Sequence, residues 1–164
     1  MALFDDEPEP VRERFAIDLG CGSGRDTREV LRRGWHVLAI DREAEGVERL
    51  ILSVAEQQLS KLQTRVAAFE ALNSLPFCPP SHFDALWHMI VTAIQPCSRF
   101  AGTFFGERDG WEHEPAMTFH TRVQAEALLR EFKVEQFIVE DSDGRTALGD
   151  TKLWHTFQIV AFKK

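Results

Sequence analysis

At 164 residues the chain is long enough to bury a core of its own, and its 44% hydrophobic and 27% charged residues exclude disordered, collagen-like and low-complexity classes. Nineteen Lys and Arg against 26 Asp and Glu leave a net charge of −7, which repels phosphate backbones and anionic headgroups and so disfavours nucleic-acid and membrane partners. The three cysteines, Cys21, Cys78 and Cys97, lie in unrelated contexts, make no disulfide framework and point to a reducing, cytoplasmic compartment.

Met1 to Pro10 carries Asp5, Asp6, Glu7 and Glu9 without a basic segment, so neither a secretion leader nor an anchor is expected, and no window reaches the ~20 apolar residues of a membrane span. Phe15 to Leu19 reads as a buried strand closed by Gly20, Gly22 and Gly24. Arg25 to Arg33 then reads as a helix ended by Gly34. Trp35 to Ile40 is a second strand ending at Asp41, and Ala44 to about Leu59 places Val47, Leu50, Ile51 and Val54 on one helical face. A third strand is expected over Thr64 to Phe69. From Ser81 to Gln95 two readings compete. Phe83 to His88 is apolar enough for a strand, but Phe83, Leu86, Trp87, Ile90, Val91 and Ile94 share one helical face that Ser81 can cap. The helix is preferred, because a strand there would leave too few residues for a parallel crossover before Arg99. Arg99 to Phe105 is another central strand, Thr121 to Phe132 a helix with Thr121 as its N-cap, and Val134 to Glu140 with Leu153 to Phe162 a closing antiparallel pair. Alternation of short apolar runs with helical stretches gives the α/β class in a single domain, 1–164.

The run Asp18-Leu19-Gly20-Cys21-Gly22-Ser23-Gly24 lies between a strand and a helix, where glycines permit a sharp turn and let a ligand reach backbone N–H groups. A dinucleotide fingerprint would need its third glycine at position 25, which is Arg25; here the pattern is G-x-G-x-G. An acid at Asp18 also suits an amine-bearing or cationic ligand better than a diphosphate. Asp41, at the tip of the second strand, is placed to accept from ribose hydroxyls. The bland alternative is a tight connection that holds nothing. Cys21 reads as a small filler of the turn.

The stretch Ala16-Ile17-Asp18-Leu19-Gly20-Cys21-Gly22-Ser23-Gly24-Arg25-Asp26, followed by Val37-Leu38-Ala39-Ile40-Asp41, resembles the class I S-adenosylmethionine-dependent methyltransferases. Gln95-Pro96-Cys97-Ser98 is similar, more loosely, to that family's Pro-Gly-Gly turn before its fifth strand. The resemblance implies a Rossmann-like, mostly parallel sheet with an antiparallel C-terminal pair and helices on both faces. It implies S-adenosyl-L-methionine as cofactor, with the methionine part on Asp18, Gly20, Cys21, Gly22, Ser23 and Gly24, the ribose on Asp41 with Arg42 beside it, and the adenine between Phe69 and Glu70. Family members carry a fourth strand, for which Ala71 to Leu75 leaves no room at ordinary length, so it is expected to be missing and activity weak.

On the acceptor side, the segment from Phe104 to Trp111 leaves the carboxyl end of a central strand, where open α/β sheets bind ligands. His113 and His120 can act as bases near neutral pH, but each reads more simply as an exposed loop residue. Glu112, His113 and His120 match no tight zinc spacing, so no metal is expected. Trp154 and His155 read as core and rim. Three functions compete: methyl transfer to a small-molecule acceptor, which leads; a reduced fold that binds cofactor or partner without activity; and a nicotinamide-dependent oxidoreductase, disfavoured by the shifted glycine. No catalytic residue is singled out, and the oligomeric state is left open.

Overall fold

The computed structural model describes residues 13–67, 75–146 and 149–164. Two compact units divide the chain, Met1–Leu72 and Asn73–Lys164. Their strands fall into a three-stranded parallel sheet and a four-stranded mixed sheet, joined in sequence by helical segments, as the α/β class requires.

The first unit runs β1 (Phe15–Leu19), α1 (Arg25–Arg32), β2 (His36–Asp41), α2 (Ala44–Ser53), a 3-10 segment (Glu56–Lys61) and β3 (Leu62–Val66), with sheet order β1-β2-β3. Phe15 pairs with His36 and Val37 with Leu62, which sets the register of the three parallel strands. Val37 and Ala39 of β2 face α1 and α2, and with Leu31, Val47, Leu50 and Val54 they make the core of this unit. Gly34, at φ +86°, ends α1 where the sequence places its stop. The expected long second helix breaks at Val54, which has extended angles, and resumes as the 3-10 segment. β3 starts two residues before its expected position, and Phe69 and Glu70 lie outside the described residues.

The second unit runs from a 3-10 turn (Leu75–Phe77) through α3 (Pro80–Ala93), β4 (Arg99–Gly106), β5 (Phe119–His120), α4 (Arg122–Leu128), β6 (Phe132–Arg145) and β7 (Thr151–Lys163), with sheet order β5-β4-β7-β6. The segment that admitted two readings is a helix. Its N-cap is Pro79 and Pro80 stands in the first turn, so the breaker pair starts the helix and Ser81 does not cap it. Phe83, Leu86, Trp87 and Val91 are its buried face. Trp87 meets Phe100 and Phe104 of β4 edge-on at 5.0 and 5.5 Å. Thr121 caps α4 in a reciprocal box with Gln124. Before β4, Cys97 holds φ +65°, the left-handed angle of the turn to which the resemblance assigns glycine. β6 and β7 pair antiparallel from Phe132↔Lys163 to Arg145↔Thr151, so the hairpin is longer than its apolar residues alone indicate. Among the described residues no strand lies between β3 and β4, and β1 has β2 as its one strand partner.

Candidate functional site

The glycine turn follows β1. Gly20, Gly22 and Gly24 have φ of +75°, +52° and +82°, so each takes an angle that side chains resist. The N–H groups of Gly20 and Cys21 both donate to the carbonyl of Ile40, at 2.8 and 3.1 Å, tying the turn to β2. Gly22 N–H donates to Asp41 Oδ2 at 2.7 Å, while Glu43 N–H donates to Asp41 Oδ1 at 2.9 Å. The acid at the tip of β2 therefore holds the turn as well as its own loop. A Cβ built on Gly22 meets nothing within 4 Å, whereas one on Gly24 lands 2.2 Å from Leu50 Cδ1. Gly24 is small for packing; Gly22 borders open space. Ser23 is exposed and its carbonyl accepts from Arg28 at 2.6 Å, and the Arg42 guanidinium pairs with Glu43 at 3.0 Å.

Asp18 is half-buried, and Thr27 Oγ1 donates to its Oδ2 at 2.5 Å. Burial raises the Asp18 carboxyl above its usual range, the Thr27 hydrogen bond pulls it back, and the like charges of Asp26 and Asp41 add to the rise. Burial, with the charges of Asp18 and Asp41, pushes the Cys21 thiol up to about 11. Cys21 thus stays protonated and unreactive at neutral pH, a filler as its sequence context indicates. The turn has an anionic surround and borders open space at Gly22, which suits a ligand bearing positive charge.

In the second unit, the segment after β4 is pinned by a buried ion pair. Asp109, wholly buried, binds Lys152 Nζ and accepts the N–H groups of Trp111 at 3.1 Å and His155 at 3.2 Å. The Lys152 ammonium lies 3.6 Å from the ring centre of Trp111, 3.9 Å from Trp154 and 4.8 Å from Phe105. His155 Nδ1 accepts from the backbone N–H of Arg108 at 3.1 Å, and its Nε2 lies 3.4 Å from the Arg108 guanidinium. β5 sets His120 opposite Gly106, at the carboxyl end of β4. His120 is only 8% exposed and lies against Phe83 and Phe104. Its Nδ1 has no partner among the described residues, and burial pushes the ring down to about 4, so it is neutral at pH 7. His113 is exposed, as its loop position indicates, but His120 is not: the two-residue strand packs its ring against Phe83 and Phe104. Among the described residues no His, Cys, Asp and Glu group forms a metal set, and no helix is long and apolar enough to cross a membrane.

The model of a methyltransferase domain matches residues 16–102, over half of the chain. The chain belongs to the methyltransferase domain family. Solved structures with the same fold include TehB from Haemophilus influenzae, at TM-score 0.70 and 12% identity over 94% of this chain, which spans 59% of TehB. A methyltransferase described as SAM-dependent, from Methanosarcina mazei, matches at TM-score 0.68 and 17% identity over 99% of this chain and 96% of its own. The Burkholderia thailandensis 1,6-didemethyltoxoflavin-N1-methyltransferase, solved with bound 1,6-didemethyltoxoflavin and S-adenosylhomocysteine, matches at TM-score 0.65 and 19% identity over 93% and 72% of the two chains. A search of curated proteins by sequence returns no match.

Within this methyltransferase domain, Asp18 lies near the end of β1, Gly20, Cys21, Gly22, Ser23 and Gly24 on the β1–α1 turn, and Asp41 and Arg42 at and just after the tip of β2. Two partners escaped the sequence reading. Thr27 carried a signal, since a threonine in the first turn of a helix that starts at glycine can bond backward. The Asp109–Lys152 pair, 43 positions apart, carried none.

Proposed function

We propose that this chain transfers the methyl group of S-adenosyl-L-methionine to a small-molecule acceptor. The observation that carries the reading is the Gly22 turn: its N–H is tied to Asp41, its Cβ direction opens on no atom within 4 Å, and Asp18 and Asp41 put negative charge beside it. These residues fit a ligand that carries an ammonium and a sulfonium at one end and a ribose at the other. The cofactor supplies an already activated methyl group when bound, so the chain's own part is binding, orientation and, where the acceptor must lose a proton, a base. Asp18 and the glycine turn hold the methionyl end. Asp41 has lone pairs left for ribose hydroxyls after its two backbone bonds. The small acceptor is supported by the charge of −7 and by the Burkholderia relative's 1,6-didemethyltoxoflavin. Calorimetry with S-adenosylhomocysteine and with NAD tests the cofactor: binding of NAD alone would sink the reading. A second reading, cofactor binding without turnover, rests on the sequence spacing, which leaves Ala71 to Leu75 too short for a fourth strand of ordinary length. Methyl release over a panel of thiol, amine and hydroxyl acceptors separates the two.

A further inference from the structure

Helix α1 starts at Gly24, which has no side chain with which to cap the first turn. An N-cap oxygen normally serves the N–H of the second or third helical residue. Asp18, at the end of β1, is tied to that first turn through a side chain. Thr27, the third residue of α1, gives its hydroxyl to Asp18 Oδ2 at 2.5 Å. Thr27 is wholly buried, so no water competes for the hydroxyl. Asp26 from α1 and Asp41 from β2 face the same carboxylate with like charge, and the Cys21 thiol beside it stays neutral. Thr27 is thus the group that opposes burial and both neighbouring charges.

We propose that Thr27 is a positioning residue for cofactor binding: its buried hydroxyl fixes the Asp18 carboxylate beside the glycine turn, where the cationic methionyl end of S-adenosylmethionine binds. This rests on the cofactor reading above. Valine has the shape of threonine without its donor, so Thr27→Val removes the bond and little volume. The hydrogen bond lowers the Asp18 pKa, so its loss lets the carboxylate take a proton at higher pH, and the charge that attracts the cofactor fades earlier as pH falls. Calorimetric titration with S-adenosylhomocysteine across the acid range, with carbon NMR titration of the Asp18 carboxyl in the ligand-free protein, reads both effects. The valine variant should bind about tenfold more weakly at neutral pH, lose affinity at higher pH than wild type, and show a raised Asp18 midpoint. Thr27→Ser should restore all three. If the valine variant does not fold, Thr27→Ala is read by the same two titrations. Wild-type affinity and an unmoved Asp18 midpoint in a folded variant overturn the proposal alone. A wild type that binds no S-adenosylhomocysteine overturns the cofactor reading and this role with it.

Discussion

Asp41→Asn strikes the site at the point where turn and ligand share one group. The two oxygens of Asp41 each accept a backbone N–H, from Gly22 at 2.7 Å and from Glu43 at 2.9 Å. An asparagine offers one accepting oxygen and an NH2 that only donates, so whichever way the amide turns, one N–H meets a donor. A hydrogen bond to a charged group contributes roughly 1.5–3 kcal/mol, and water recovers part of that at a half-buried site, leaving a loss of about 1 kcal/mol in the turn. The loss of charge toward the ribose hydroxyls adds about as much again or more. Binding of S-adenosylhomocysteine should therefore weaken by about 2 to 3 kcal/mol, roughly 30- to 150-fold. Isothermal calorimetry on a variant with wild-type circular dichroism measures it. An asparagine variant with wild-type affinity would refute both the ribose assignment and the argument that one carboxylate holds the turn.

Gly22→Ala should leave the first unit folded, at a cost of about 1 to 2 kcal/mol for its φ of +52°, and abolish cofactor binding; Gly24→Ala drives a Cβ into Leu50 and should lower stability by more, which denaturant titration of the pair resolves. His120 stays neutral down to about 4, while in the unfolded chain it takes a proton near 6.5, so the unfolded state binds more protons between these values and stability falls as pH drops through them. His120→Phe should remove that part of the decline, about 3 kcal/mol, and an unchanged slope of unfolding free energy against pH would contradict the burial argument. Lys152→Met leaves Asp109 charged and unpaired in the interior and should cost about 3 to 5 kcal/mol by the same denaturant assay.

The glycine turn was legible because only glycine takes three positive φ angles in five residues without strain, and the acid at the tip of β2 because the strand ends there. α3 was legible from the spacing of Phe83, Leu86, Trp87 and Val91, and its start was misplaced because two prolines read as a break when the second sits in the first turn. β5 was missed because two residues show no alternation; its pairing with Phe105 and Gly106 supplies what the sequence lacks. The extension of β6 through Asp141 to Arg145 was hidden by acids and a glycine that read as a turn, yet register with Thr151 to His155 carries the ladder on. His120 was misjudged for the same reason as β5, since burial follows from where the strand places the ring and not from the polar residues around it in sequence.

Of the four tryptophans, Trp111 and Trp154 have the Lys152 ammonium 3.6 and 3.9 Å from their ring centres. Trp35 has the Arg14 guanidinium at 5.4 Å, while Trp87 has no such cation among the described residues and donates its Nε1 proton to the Leu128 carbonyl. An indole in its excited state redistributes charge across its two rings, so a fixed positive charge against its face alters the colour and yield of its emission. Lifting the segment after β4 away from β7 draws Trp111 off the ammonium that Trp154 keeps. The chain thus carries an intrinsic optical reporter of that segment's position, readable without a label.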